Sequence, residues 1–170
     1  MKRLIILFLS LLSATSLMAQ GGNDKFKLQA QADIGTLFLD DAAGPTVTLG
    51  IGVRMFGHLY VGIETGFDTM IKRYRFDSNF VTLQHTRFEG YIPVGANLKG
   101  YLFKNHNWSP YLNCSLGGFF GFYREHWFEG FRSQIGLGID IKQFNVNVGY
   151  HALVHDVTQH CGYVKLGYRF

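Results

Sequence analysis

Histidine, aspartate and hydroxyl side chains are the residues of this chain that could perform acid–base or nucleophilic chemistry. His155 and Asp156 are neighbours, and a nucleophile could come from Ser78, Ser133 or Thr158. On an extended strand, however, adjacent residues point to opposite faces. A catalytic triad also depends on a geometry that no spacing in this chain indicates. We therefore predict no catalytic residue.

Histidine spacing also bears on metal binding. His151 and His155 are four residues apart, which on a strand is about 13 Å at ~3.3 Å per residue. That separation is too large for one shared metal ion. A surface metal site is conceivable in the polar loops, but no ligand spacing supports one among His85, His126, His155 and His160. We expect no metal and no other cofactor.

Composition limits the class of protein further. Of the 170 residues, 47% are hydrophobic and 16% are charged, well below the ~25% charge usual in soluble domains. With 16 Phe, 9 Tyr and 2 Trp, the chain has ample apolar surface to bury, which excludes disorder. The net charge is +4, and Lys2 and Arg3 supply two of these charges. The rest is too weakly basic for a nucleic-acid surface.

The first segment has the organisation of a secretory signal peptide. Lys2 and Arg3 precede an apolar run over residues 4–12, and Ala19 supplies the small residue before a cleavage site. We therefore predict a signal peptide over residues 1–19 and a single exported domain over residues 20–170.

Beyond residue 20 the dominant pattern is alternation with a period of two. In residues 46–56, for example, Val47, Leu49 and Ile51 alternate with Thr48 and Gly50. Such alternation predicts strands, each near the ~9–11 residues that a tilted strand needs to cross a bilayer. Eight segments qualify: residues 26–38, 46–56, 59–70, 87–103, 111–124, 131–141, 144–154 and 162–170.

The connections between these segments alternate in kind. Residues 56–58, 104–109 and 142–143 are short turns, whereas residues 39–45, 71–85, 125–130 and 155–161 form longer, more polar loops. Short turns on one rim and long loops on the other are typical of an outer-membrane barrel. The predicted fold is therefore an all-β, eight-stranded antiparallel up-and-down transmembrane barrel, with both termini at the short-turn rim.

The two faces of the strands differ in charge. The apolar faces of the clean strands carry no charge, whereas the opposite faces mix glycine with both signs of charge. A soluble, lipocalin-like barrel remains the alternative, but its core would have to hold these charges at several kcal/mol each. We predict instead a charge network in a plugged lumen, formed by Arg54, Glu64, Asp68, Arg87, Glu89, Lys99, Arg132, Asp140, Lys165 and Arg169.

Aromatic residues near the strand ends predict the two girdles that membrane barrels place at the lipid headgroups. At the short-turn rim the predicted girdle is Phe56, Tyr60, Phe103, Trp108, Tyr111, Phe144, Tyr168 and Phe170. At the loop rim it is Phe38, Phe67, Phe88, Phe122, Trp127, Phe128 and Phe131.

The two cysteines are predicted to stay unbridged, although the export route is oxidising. Cys114 lies near the start of the fifth strand and is predicted to face lipid, whereas Cys161 lies at the loop end of the eighth. These strands are not neighbours, and a disulfide needs Cα atoms within ~7 Å. Of the two, Cys161 is the expected reactive thiol.

Three segments resemble the small eight-stranded outer-membrane β-barrels of Gram-negative bacteria, of the OmpA/OmpX-like and PorT-like kind. Residues 91–103 (YIPVGANLKGYLF) are similar to the IPL..LKYYF strand of that family, and Pro110 and Tyr111 before a glycine-rich strand resemble its PY.G.G strand. The last strand resembles the signal read by the outer-membrane assembly machinery, carried here by Val164, Leu166, Tyr168 and Phe170. The resemblance implies the cell outer membrane as the location.

The loop at residues 71–85 is the main candidate for outside contacts. Lys72, Arg73, Tyr74 and Arg75 form a basic, aromatic group that could bind lipopolysaccharide phosphates or a partner surface through charge-assisted hydrogen bonds.

The expected function is that of a monomeric, non-enzymatic envelope scaffold or interaction protein. Its expected partners are outer-membrane lipid, lipopolysaccharide and the assembly machinery, with no nucleic acid. A narrow channel for small solutes is the alternative. A lipid-modifying enzyme, which some members of the resembled family are, has less support because no triad is evident.

Overall fold

A closed antiparallel barrel of eight strands makes up the computed structural model of this chain. The structure describes residues 26–39, 42–78, 81–103, 107–121, 130–155 and 158–170, and within 72–78 and 81–88 it describes the backbone. The strands are β1 (Phe26–Leu39), β2 (Ala42–Met55), β3 (Leu59–Ser78), β4 (Val81–Tyr101), β5 (Trp108–Gly121), β6 (Gly130–Ile141), β7 (Phe144–Val154) and β8 (Gln159–Arg169). The predicted fold class is confirmed, while the signal peptide lies outside the described residues.

Each strand pairs with its neighbours in chain order, and β1 closes the barrel against β8. Ile34 lies opposite Leu166 in this last pair, and the amide of Phe170 donates to the carbonyl of Ala30 at 2.9 Å. Closure matters because a strand edge exposed to hydrocarbon would leave backbone polar groups without partners. In the described parts of the chain, no helix is long and apolar enough to cross a membrane.

The outer surface of the barrel is an apolar belt. Mid-strand side chains such as Ile63 and Leu137 are 66% and 65% exposed, which in water would be unfavourable at about 25 cal/mol per Å² of apolar surface. The belt is built from Ile34, Val47, Val61, Ile63, Phe67, Val94, Leu98, Leu112, Leu116, Phe131, Ile135, Leu137, Val148, Val164 and Leu166. The polar residues of the same strands are buried inside, the reverse of a soluble lipocalin-like barrel.

Aromatic rings cluster at the short-turn rim on the outside. Phe26 packs on Phe56, and Phe103 on Trp108, each pair with ring centroids 5.4 Å apart. Tyr168 lies between Phe144 and Phe170, at 5.4 and 5.0 Å. Tyr60 and Tyr111 were wrongly predicted to belong to this girdle. They point into the barrel and are 0% and 2% exposed, because strand alternation places them on the same face as the charges.

The β3–β4 hairpin differs most from the sequence prediction. Residues 71–85, expected to be a loop, are mostly strand, with Ile71 opposite Phe88 and Ser78 opposite Val81. The physical reason is the β propensity of this segment, which is rich in aromatic and β-branched residues. The expected sidedness holds at the opposite rim, where β2–β3 and β6–β7 are joined by tight turns. Phe56, Gly57 and Lys142 adopt positive φ in these turns.

Introducing a charge into the apolar belt tests which face contacts lipid. Leu137→Arg at mid-strand should destabilise the barrel by about 2–4 kcal/mol, whereas Ile141→Arg at the rim end of the same strand should cost about 0–1 kcal/mol. Urea unfolding in lipid vesicles measures both. Equal costs at the two depths would contradict a membrane-facing belt.

Candidate functional site

Glu64 of β3 is the most heavily bonded carboxylate in the barrel interior. Its Oε1 accepts hydrogen bonds from Arg132 Nη1 at 2.8 Å and from Ser115 Oγ at 2.5 Å. Its Oε2 accepts from Asn97 Nδ2, also at 2.5 Å. Arg132 of β6 and Glu64 of β3 lie three strands apart in the closed barrel and are only 1–2% exposed, so this ion pair crosses the interior between non-adjacent strands.

Arg132 extends the cluster towards the loop rim. Its Nη2 donates to Gln134 Oε1 at 2.9 Å, and its Nε lies 3.6 Å from Asp68 Oδ2. The other oxygen of Asp68 accepts a hydrogen bond from the Thr46 hydroxyl. One guanidinium therefore serves two carboxylates, which lowers the cost of burying all three charges.

Two buried lysines are held by neutral acceptors. Lys165 Nζ donates to Thr48 Oγ1 at 2.9 Å and to Gln134 Oε1 at 3.4 Å. Lys99 Nζ donates to Gln31 Oε1 at 2.5 Å and lies 4.7 Å from the ring centroid of Tyr111. Ring faces attract cations, so the aromatic side chains contribute to holding these charges in the lumen.

Asp33 of β1 joins the network from the barrel seam. Its carboxylate accepts from Asn145 Nδ2 at 2.9 Å and from Gln31 Nε2 at 3.2 Å. Because Gln31 also accepts from Lys99, this amide links a buried carboxylate to a buried ammonium. The bonds cross from β1 to β7 and β4, so they tie the closing strand to the rest of the wall.

The short-turn end of the lumen is closed by cations and tyrosines. Arg54 donates to the carbonyl of Gly57 at 2.8 and 3.2 Å and lies 3.9 Å from the ring centroid of Tyr101. Arg169 pairs with Asp140. Behind them, Tyr60, Tyr101 and Tyr111 form a buried cluster.

The loop end of the lumen is closed by an apolar cap. Tyr91 and Phe119 meet edge to face with centroids 5.3 Å apart, and the Tyr91 hydroxyl donates to Glu89 at 2.6 Å. The apolar cap consists of Leu37, Met70, Tyr91, Phe119, Leu153, Cys161 and Tyr163.

Glycines make room for this filling. The Tyr111 ring lies where a side chain on Gly138 would be, and the Tyr163 hydroxyl does the same at Gly136. A larger residue at either position would displace a buried tyrosine. The glycine-rich inner face therefore belongs to a packed lumen.

Most of the predicted lumen charges lie inside the barrel. The side chain of Arg87 lies outside the described residues, Glu89 is half-buried and Arg169 is partly exposed at the short-turn end. The others are buried: Arg54, Glu64, Asp68, Lys99, Arg132, Asp140 and Lys165.

The sequence prediction missed part of the interior. Asp33 and its inward neighbours Gln29 and Gln31 are buried polar residues of β1. Their alternation with Ala30 and Ala32 was the available signal. It is weak because alanine is small and marks the apolar face of a strand less clearly than a large hydrophobic side chain does. His151, in contrast, lies on the face that alternation along residues 144–154 predicts to be polar, and it is fully buried in the lumen, at 0% exposure.

The structure describes the side chains of the predicted assembly residues but not those of the predicted outer contacts. The side chains of Lys72, Arg73, Tyr74 and Arg75 lie outside the described residues. In the last strand, Val164, Leu166 and Phe170 are exposed on the outer face. Tyr168 is half-buried on that face, and its hydroxyl donates to Gln143 at 2.7 Å.

Both cysteines are free, as expected. The expectation that Cys161 is the reactive thiol is not met by its position, because it is 1% exposed within the apolar cap. The reason is strand alternation, which places Cys161 on the same inner face as Tyr163. In the part of the chain that the structure describes, no group of three or more His, Cys, Asp or Glu side chains is placed to hold a metal ion.

Comparison with solved structures gives the same architecture in three bacterial proteins. Neisserial surface protein A (NspA) matches with a TM-score of 0.54 at 13% identity, over 88% of this chain and 97% of that one. OprG of Pseudomonas aeruginosa matches with a TM-score of 0.52 at 12% identity, over 89% and 99%. Ail of Yersinia pestis, in a phospholipid bilayer nanodisc, matches with 0.51 at 17% identity, over 84% and 99%.

Sequence comparison adds nothing to these likenesses, because no family model and no curated protein matches the chain. At these identities the solved structures establish the fold, which is that of the small outer-membrane β-barrels. The apolar belt is independent physical evidence that this barrel spans a membrane. The expected outer-membrane location agrees with both.

Proposed function

We propose that this outer-membrane barrel is a non-enzymatic envelope protein, a rigid plugged scaffold that presents its β3–β4 hairpin outside the membrane. The observation that supports the proposal is that buried side chains occupy the lumen at three levels. Arg54 and Tyr101 fill the short-turn end, the Glu64–Arg132 pair crosses the middle, and the apolar cap fills the loop end. An eight-stranded barrel is just wide enough for side chains to fill.

The hairpin supports the interaction part of the proposal. β2 pairs with β3 as far as Lys72, and β5 pairs with β4 from Tyr91 onwards. Among the described strands, residues 73–78 and 81–86 therefore pair only with each other and project beyond the barrel wall. At ~3.3 Å per residue this ribbon is about 20 Å long. An isolated two-stranded ribbon is marginally stable in water, so contact with another surface would stabilise it.

A plugged lumen should pass essentially no ionic current. Purified protein reconstituted in planar bilayers should give no discrete conductance steps at voltages on the order of 100 mV, a voltage that supplies ~2.3 kcal/mol per elementary charge. Flotation of the protein with lipid vesicles serves as the control for insertion. Reproducible steps that scale with inserted protein would instead support the narrow channel.

The non-enzymatic part of the proposal has its own test. Lipid A from cells with and without the protein should give the same mass spectrum. Loss or gain of an acyl chain on expression would overturn this part and point to a lipid-modifying enzyme.

We propose that the ribbon binds lipopolysaccharide through the phosphate groups of that lipid. The double variant Arg73→Ala/Arg75→Ala should weaken binding of nanodisc-embedded protein to lipopolysaccharide by about three- to tenfold, because exposed ion pairs contribute under ~1 kcal/mol each. Lys142→Ala, at the exposed short-turn rim, is the matched charge-removal control and should bind normally. Equal binding by all three proteins would reject these arginines as the contact.

A further inference from the structure

Two cations meet at the short-turn mouth of the lumen. Lys27 of β1 lies directly opposite Arg54 of β2 in the strand register. Lys27 also precedes the buried, inward-facing Gln29 by two residues, so strand alternation places it on the lumen face with Arg54. Directly opposed residues of an antiparallel pair have Cβ atoms about 4.5–5.5 Å apart, and like charges in this arrangement destabilise the pair. These two positions therefore favour an anion between them.

The contacts of Arg54 hold its guanidinium in place without neutralising it. Nε and Nη2 both donate to the carbonyl of Gly57, at 3.2 and 2.8 Å, and the guanidinium carbon lies 3.9 Å from the ring centroid of Tyr101. The two hydrogen bonds use two of its five N–H donors. The carboxylate of Asp140 at this end of the lumen is paired with Arg169. Among the described residues, no carboxylate forms an ion pair with Arg54.

The exposure of these groups determines how a ligand approaches. Lys27 is exposed and Arg54 retains 9% exposure, so an anion arriving from the short-turn side meets the ammonium first and then the edge of the guanidinium. Beside them, on the outer surface, Phe26 and Phe56 pack with ring centroids 5.4 Å apart and are 50% and 56% exposed. A cationic edge therefore adjoins an apolar one.

The chemistry of this edge selects the ligand. Guanidinium and ammonium groups bind phosphate oxygens through charge-assisted hydrogen bonds. The adjoining rings belong to the short-turn girdle, the level at which aromatic side chains of membrane barrels meet lipid headgroups. A soluble phosphate ion would use the cations alone, whereas an anionic phospholipid would use the cations and the rings together.

We propose that Lys27 and Arg54 form a phosphate-binding site at the short-turn mouth, occupied by the headgroup of an anionic phospholipid whose acyl chains lie against Phe26 and Phe56. The headgroup neutralises two opposed cations and fixes the depth of β1 and β2 in the membrane. This site goes beyond the proposed scaffold function, and it lies at the rim opposite the hairpin for which lipopolysaccharide is proposed.

Native mass spectrometry of the whole protein, titrated with phosphatidylglycerol in detergent, tests the site. Lys27→Gln and Arg54→Gln should each weaken binding of this lipid by about three- to tenfold, the factor expected for one basic residue beside an anionic lipid. Lys142→Gln removes an exposed charge from another turn of the same rim and should bind normally. Phosphatidylcholine, which has a phosphate but no net charge, should bind more weakly and equally to all four proteins.

Three results would overturn the proposal. Unchanged binding by Lys27→Gln and Arg54→Gln would exclude these residues as the site. An equal loss in Lys142→Gln would mean that the rim attracts anionic lipid only through its overall charge. Displacement of phosphatidylglycerol by millimolar inorganic phosphate would make the free ion the occupant and reject the lipid.

A stability measurement keeps the test decisive if Arg54→Gln does not fold. In vesicles of phosphatidylcholine alone, Lys27→Gln should not lower the urea midpoint, because it removes a repulsion from Arg54. Adding phosphatidylglycerol should raise the midpoint of the wild type more than that of Lys27→Gln. An equal rise in both proteins would contradict the site.

Discussion

The rest of this structure depends on burying charge at the centre of a membrane-spanning barrel. Glu64 and Arg132 have left water entirely, and each unpaired ion would cost several kcal/mol there. The pair persists because Ser115 and Asn97 occupy the other lone pairs of the carboxylate. Together with Arg132, these partners come from β4, β5 and β6, so satisfying one carboxylate requires several strands to pair in one register.

That constraint reverses the usual arrangement of a soluble protein, with polar residues inside and apolar residues outside. Once the charges occupy the lumen, strand alternation places every second residue outside, where only apolar side chains are compatible with lipid. Leu137 and Ile63 are therefore exposed on the outer surface, where they face lipid. The same logic explains the tyrosines, since Tyr111 fills apolar space over Gly138 while its ring lies near the Lys99 ammonium.

The sequence was sufficient for the fold because period-two alternation is a local property. The prediction for residues 144–154 matches β7 as found, and Arg132, Glu64 and Lys165 face inwards as alternation requires. The pairing among them was not predictable, because Glu64 and Arg132 are 68 positions apart and barrel shear decides which inward residues meet.

Errors arose where residue chemistry and position conflict. Tyr60 and Tyr111 are aromatic and near strand ends, so they resembled girdle residues. Their positions in the alternation of inward and outward residues nevertheless place them in the lumen. Cys161 resembled an exposed thiol for a similar reason. In residues 71–85 charge suggested a loop, whereas β3–β4 pairing continues through them, since an antiparallel ribbon tolerates charge on solvated faces.

A double-mutant cycle on the central ion pair tests the account most directly. Glu64→Gln and Arg132→Gln would be made singly and together, and unfolded by urea in lipid vesicles. Arg132→Gln should lose about 3–5 kcal/mol because it leaves the Glu64 carboxylate buried without its cation. Glu64→Gln should lose less, because Arg132 keeps Asp68 3.6 Å away. The double variant should lose at least ~1 kcal/mol less than the sum of the two. Losses that add within ~0.5 kcal/mol would contradict a lumen organised around this pair.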